Sequence, residues 1–143
     1  KTIKFCDEVL LKKLAKFVEL KEYITEKKKE IGLDNKKLKI NQEDLIASGL
    51  TNVGLFRQYI FNYLKDHKGI RDDLTFLIRQ LQPGQSGLPI EIYVFTNDTD
   101  WVNYENIQSD IFDHLLAVLP AFDLSAFQII SDNNDQVKRI KDK

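Results

Sequence analysis

A chain of 143 residues and 16.7 kDa, 43% hydrophobic and 30% charged, is long enough to bury one ordinary core and too apolar for disorder. Its 21 basic and 22 acidic residues nearly cancel, so no net field points to nucleic acid or acidic lipid. One cysteine excludes an intramolecular disulfide framework and a cysteine-based zinc cage, and no apolar run approaches the ~18 residues of a membrane-spanning helix. The chain opens on Lys1 and contains no methionine, as expected of a processed product or an excised piece, and shows no signal-peptide pattern. A single α/β domain is expected over residues 1–130, with a strand and helical lead-in over 1–49 and a core over 50–130. A polar tail follows over 131–143.

The balanced charge is unevenly spread. Residues 1–47 hold twelve lysines against nine acidic residues, whereas residues 48–130 hold five basic against ten acidic. Thr2 to Cys6 reads as a short strand, with Ile3 and Phe5 alternating with Lys4. Asp7 suits an N-cap with Glu8 in the first turn. Leu10, Leu11, Leu14 and Phe17, continued by Leu20, Tyr23, Ile24, Lys27 and Ile31, trace a helical stripe that Gly32 is expected to stop. Residues 33–50 read as a polar connection. Thr51 or Asn52 caps a second helix whose apolar positions are Val53, Phe56, Ile60, Phe61 and Leu64, and the helix runs out near His67, Lys68 and Gly69.

Two strands come next, Leu74 to Leu81 and Leu88 to Phe95, joined by the turn chemistry of Pro83-Gly84-Gln85-Ser86-Gly87. A loop centred on Gln85 sets Arg79 opposite Glu91 and Leu77 opposite Tyr93, a favourable pairing across the strands. Asn97 to Asp100 open a long helix carrying Trp101, Tyr104, Ile107, Ile111, Leu115 and Val118, with Pro120 at its end. Ala126 to Ile130 reads as a last short strand. The order βαββαβ, with an extra helical segment near the N-terminus, predicts an α+β, ferredoxin-like sandwich: a four-stranded antiparallel sheet with helices on one face.

Residues suited to catalysis are few and scattered. Cys6 has acidic neighbours that oppose thiolate formation, so an inert thiol is expected. Asp110, Asp113 and His114 share one helical face, but no HxxxH or Glu-x-x-His pair supports a metal site, and His67 lies in another segment. Asp72 and Asp73 are adjacent before a strand and so point apart. Phosphate-cradle and nucleophile-elbow motifs are absent. No enzyme, cofactor or metal is indicated. The strands also lack the basic-aromatic pattern of the RNA-recognition module, and their region is acidic, which argues against nucleic acid.

The sheet's second face is more informative. Ile90, Ile92 and Val94 share the face expected under the helices. Leu77, Arg79, Leu81, Glu91, Tyr93 and Phe95 share the other, which is richer in apolar and aromatic groups than a water-facing sheet requires. These six residues are the candidate protein contact surface.

The stretch Leu50-Thr51-Asn52-Val53-Gly54-Leu55-Phe56-Arg57, then Arg79-Gln80-Leu81-Gln82-Pro83 and Gly87-Leu88-Pro89-Ile90-Glu91-Ile92-Tyr93, resembles the soluble region of the MscS superfamily of mechanosensitive channels. The likeness continues through Trp101, Tyr104-Glu105 and Ile107-Gln108-Ser109-Asp110-Ile111-Phe112-Asp113-His114-Leu115-Leu116 to Phe127-Gln128, and is strongest to the miniconductance or YbdG-like branch. Ile3 to Ile31 looks like the strand and helices that precede this region there. The resemblance implies a cytoplasmic, vestibule-forming domain of a channel that releases solutes on hypo-osmotic shock. It implies a parent in the inner cell membrane, seven subunits of the same chain as partners, and membrane contact only through upstream segments. The piece itself is then expected not to conduct, and its tail from Ser131 offers little to a C-terminal barrel. A free-standing ferredoxin-like module that binds a small regulatory molecule is the alternative.

Overall fold

A computed structural model describes residues 3–38 and 50–128. Helices α1 (Glu8–Leu14), α2 (Val18–Leu38), α3 (Asn52–Lys65) and α4 (Trp101–Val118) surround a core to which a 3-10 turn, Leu119–Phe122, contributes its last residue. Strands β1 (Ile70–Arg71), β2 (Leu77–Gln80), β3 (Ile90–Tyr93) and β4 (Phe95–Thr96) lie between α3 and α4 in sequence.

Three helix starts follow from single side chains that accept from otherwise orphaned amides. Asp7 Oδ1 accepts from Leu10 N at 2.8 Å, and Asp100 Oδ1 accepts from Val102 N and Asn103 N at 3.0 and 3.1 Å. Thr51 is the cap of α3, its Oγ1 accepting from Gly54 N at 3.1 Å. A Cβ on Gly54 would stand 2.9 Å from that same oxygen, so the cap needs glycine for its close approach.

The single helix expected from Leu10 to Ile31 is two helices. The chain turns at Ala15–Phe17, where no glycine or proline occurs, and the Phe17 ring contacts Tyr59 at 5.4 Å and Phe122 at 5.9 Å between centroids. Gly32 does not stop α2, which runs on to Leu38. One interior glycine costs a helix only about 1 kcal/mol relative to alanine, too little to end one this long. The rest of the expected polar connection, 39–49, lies outside the described residues.

The class and pairing expected from the sequence are observed: α+β, with antiparallel ribbons and helices on one face. The ladder has Arg79 opposite Glu91 and Leu77 opposite Tyr93. The strand count differs. Instead of one four-stranded sheet, the described residues form two two-stranded ribbons, β1–β4 and β2–β3. Of the first expected strand, Phe5 makes one isolated bridge with Thr51, because its partner is only the short lead into α3. Ala126 to Gln128 of the last expected strand pairs with nothing described, and Ile129 and Ile130 lie outside the described residues.

The two ribbons are halves of one long hairpin. Arg71 pairs with Phe95 and Leu77 with Tyr93, so Asp72 to Phe76 bulge out against Val94 alone. The excess is four residues, an even number, so inward and outward faces stay in phase across the interruption. At the tip, Gly84 and Gly87 exchange backbone hydrogen bonds at 2.9 and 3.0 Å, and Gly87 takes φ 96°, which glycine adopts without strain.

The core is mostly helix on helix. Leu14, Leu20, Leu55, Leu64 and Phe122 are fully buried, and Phe56 and Tyr59 meet the Phe122 ring at 5.2 and 5.5 Å. Ile78, Ile90, Ile92 and Val94 of the hairpin pack against this cluster from one side.

Asn52 ties its distant parts together. Its Oδ1 accepts from Lys4 N, its Nδ2 donates to Phe122 O and its backbone N–H donates to Lys4 O, each at 3.0 Å, in a residue with no exposed surface. Beside it, Lys4 Nζ lies 2.9 Å from Asp123 Oδ2, and Asp123 holds the left-handed φ of 55° that aspartate tolerates better than most residues.

Asn52→Ala is expected to destabilise the fold by roughly 2–4 kcal/mol, since Phe122 O loses a donor that water does not replace; a denaturant titration measures it. The Lys4 hydrogen bond holds the Asp123 carboxyl below the ordinary carboxylate range and the Asp123 partner raises Lys4. A depressed carboxylate contributes stability that is fully present above its unfolded value of about 3.9 and is lost as pH falls through the folded value. Asp123→Asn keeps the left-handed backbone but removes the pair. Urea midpoints of variant and parent should therefore differ from about pH 5 to 9 and converge at the acid end.

Candidate interaction surface

Alternation along the hairpin divides its side chains. Even-numbered Ile78, Ile92 and Val94 turn to the core, and odd-numbered Leu77, Arg79, Leu81, Tyr93 and Phe95 turn out to solvent. Glu91 shares the outward face and is partly covered by its neighbours. The structure thus brings all six sequence-predicted residues onto one surface. Tyr93 is 50% exposed and meets the Phe95 ring edge to face at 5.6 Å. The Arg79 Nε–H donates to Glu91 Oε2, forming an ion pair in the middle of the apolar patch. Lower on the same side, Arg71 grips Asp73 through two hydrogen bonds, 2.9 and 2.6 Å, which lower the Asp73 carboxyl.

Helix α4 carries a second exposed apolar band. Only Ile111 and Leu115 are buried on it. Trp101, Phe112 and Leu116 are 72%, 50% and 53% exposed. The sequence reading placed Trp101 on the packed stripe and passed over Phe112 and Leu116. A helical projection reveals them: Phe112 and Leu116 fall roughly a quarter turn or more from the Ile111–Leu115 line. Trp101 lies in the first turn, where it stacks on Tyr104 at 5.8 Å.

The opposite flank of α4 meets α3. His114 lies face to face with Tyr63 at 4.2 Å, and its Nε2 is 2.6 Å from the Tyr59 hydroxyl. Burial, reinforced by the charge of Glu19, pushes the Tyr59 hydroxyl up to about 12, so it stays protonated through the physiological range. With the imidazole neutral and its proton on Nδ1, that hydroxyl donates to Nε2. His67 is held separately, its Nδ1 accepting from Gly69 N at 3.0 Å. Asp110 and Asp113 point to solvent, and no group of three or more His, Cys, Asp or Glu suited to a metal occurs among the described residues.

Cys6 is half-buried, and its thiol is pushed up to about 11, chiefly by burial and then by Asp7. The acidic neighbour that sequence reasoning invoked therefore ranks second to desolvation. An open groove of about 750 Å³ runs beneath the hairpin tip, between Val53, Phe56, Leu88, Leu119, Leu124 and Phe127. None of its lining residues is charged. Among the described residues no helix is long and apolar enough to cross a membrane.

A family model described as mechanosensitive ion channel MscS, C-terminal, matches residues 2–126, taking in every described helix and strand. No solved structure matches the chain. The caps, the hairpin and both exposed apolar bands all lie inside the matched span, and the chain belongs to the family of MscS mechanosensitive ion channel C-terminal domains.

Proposed function

We propose that this chain forms part of the wall of a cytoplasmic vestibule in a mechanosensitive channel, and that the outward hairpin face is where one subunit packs on the next. The parent channel lies in the inner cell membrane, assembles as a ring of seven copies and releases solutes on hypo-osmotic shock. Within the superfamily it falls in the miniconductance or YbdG-like branch. The domain itself neither conducts nor catalyses; its residues act by holding subunits in place.

The observation that carries this reading is the composition of the outward face. Leu77, Leu81, Tyr93 and Phe95 are all substantially exposed on an ordered hairpin of a channel-family domain. A solvated sheet face is ordinarily polar, and contiguous apolar surface of this kind marks a contact between proteins. The Arg79–Glu91 pair suits the centre of such a face, because each charge is already compensated when water is removed.

Two single substitutions in the full-length channel test this. Tyr93→Lys and Leu77→Asp each introduce an uncompensated charge into a surface that assembly would desolvate, at a cost of several kcal/mol. Native electrophoresis of the detergent-extracted channel should show loss of the ring for both variants, and cells depending on that channel should survive dilution shock less well. Rings formed in undiminished yield would overturn the interface assignment.

A further inference from the structure

Both histidines of the chain meet one ring, that of Tyr63. His114 of α4 lies on its face at 4.2 Å, and His67, just past the end of α3, meets it edge to face at 5.8 Å. Each imidazole also accepts a hydrogen bond. The Gly69 N–H donates to Nδ1 of His67 at 3.0 Å, and the Tyr59 hydroxyl donates to Nε2 of His114 at 2.6 Å. An imidazole nitrogen accepts only while the ring is neutral; a second proton turns both nitrogens into donors.

These two bonds sit where three parts of the fold meet. His114 fastens α4 to α3, and the 67–69 loop joins α3 to the base of the hairpin. Asn97, just past β4, donates its N–H to Gly69 O at 3.0 Å and its side-chain amide to Lys68 O. A Cβ on Gly69 would stand 3.0 Å from Ile107 Cδ1 on α4 and 3.1 Å from the His67 ring, so the loop is wedged between helix and imidazole.

The two donors differ in what they can do when the acceptor is lost. A backbone N–H cannot turn round, so a proton on His67 Nδ1 sets donor against donor. The Tyr59 hydroxyl can turn and accept, but Tyr59 is 2% exposed, and its own hydrogen then has no acceptor among the described residues. The face of Tyr63 also attracts an imidazolium, so the His114 stack outlasts its hydrogen bond. His67 is therefore the more sensitive of the two. The charged groups around the pair are Glu19 on α2, Lys65, Asp66 and Lys68 beside His67, and Asp110 and Asp113 beside His114. None of them forms a hydrogen bond or ion pair with either ring among the described residues, so none replaces a lost acceptor.

We infer that His67 and His114 form a proton-sensitive joint between α3, α4 and the base of the hairpin, closed while both imidazoles are neutral and loosened when they take a second proton. The stability contributed by the two bonds is present at neutral and alkaline pH and is lost as pH falls through the imidazole range. The inference is independent of the subunit-contact reading, because it concerns bonds within one chain.

Urea titrations of the 143-residue chain at about pH 7.5 and about pH 5.5 bracket that range and stay above the carboxylates. Asparagine sets a carbonyl oxygen near the position of Nδ1 and glutamine one near Nε2, so His67→Asn and His114→Gln retain acceptors that cannot be protonated. The folding equilibrium constant of the parent should fall about tenfold between the two conditions, and that of the double variant less than about twofold. Of the single variants, His67→Asn should lose most of the pH dependence and His114→Gln should keep most of it. These two carry the test if the double variant no longer melts cooperatively. Hydrogen exchange in the parent, corrected for its intrinsic pH dependence, should quicken at Gly69, Asn97 and along α4 but not along α1. A parent equally stable at both pH values, or variants that lose as much as the parent, would overturn the joint. So would exchange that quickens evenly from α1 to α4, since acid would then soften the whole fold.

Discussion

Asn52 joins three parts of the chain that are far apart in sequence: the Lys4 segment, the start of α3 and the turn ending at Phe122. An asparagine side chain offers a carbonyl and an amide on one planar group, so one residue can accept from one strand and donate to another. Buried in the core, those bonds are hard to replace, because a lost partner leaves a polar atom without water. The placement of the 3-10 turn depends on this junction. Phe122 is consequently delivered into the centre of the aromatic cluster of Phe17, Phe56 and Tyr59, and the Lys4–Asp123 pair closes over the same junction from the solvent side.

With α3 held at its first residue by Asn52 and along its length by Leu55, Tyr59, Ile60 and Leu64, the hairpin has a fixed platform. Phe76, in the bulge, braces against Phe61 with ring centroids 5.1 Å apart. A bulge with an odd excess of residues would exchange the two faces of the hairpin. The four-residue excess here preserves parity instead, and Phe95 beyond it stays on the same face as Tyr93 before it. The outward patch is therefore a consequence of strand geometry rather than of any one side chain.

Helix α4 illustrates how packing and recognition share one element. Its Ile111–Leu115 line enters the core, while His114 on one flank fastens it to α3 by a stack on Tyr63 and a bond to Tyr59. The other flank, with Phe112 and Leu116, remains outside. Contiguous apolar surface left outside a core is the kind that contacts another protein.

Local chemistry was legible in the sequence wherever near neighbours decide it. Asp7, Thr51 and Asp100 cap helices because a short oxygen-bearing side chain satisfies amides two or three residues on. The Arg79–Glu91 register followed from turn residues and alternation, and with it the six residues of the outward face. The tandem of short motifs also carried the family resemblance. Tertiary structure decided what depends on distant partners. Gly32 fails to stop α2, and Phe17 interrupts a helix that its own sequence would continue, because contacts with Tyr59 and Phe122 outweigh local preference. Among the described residues, the strand-like segments at Phe5 and Ala126 form no ladder, since a strand needs a neighbour and periodicity cannot supply one. The role of Asn52, and the exposure of Phe112 and Leu116, appear only when residues tens of positions apart are brought within bonding distance or turned away from it.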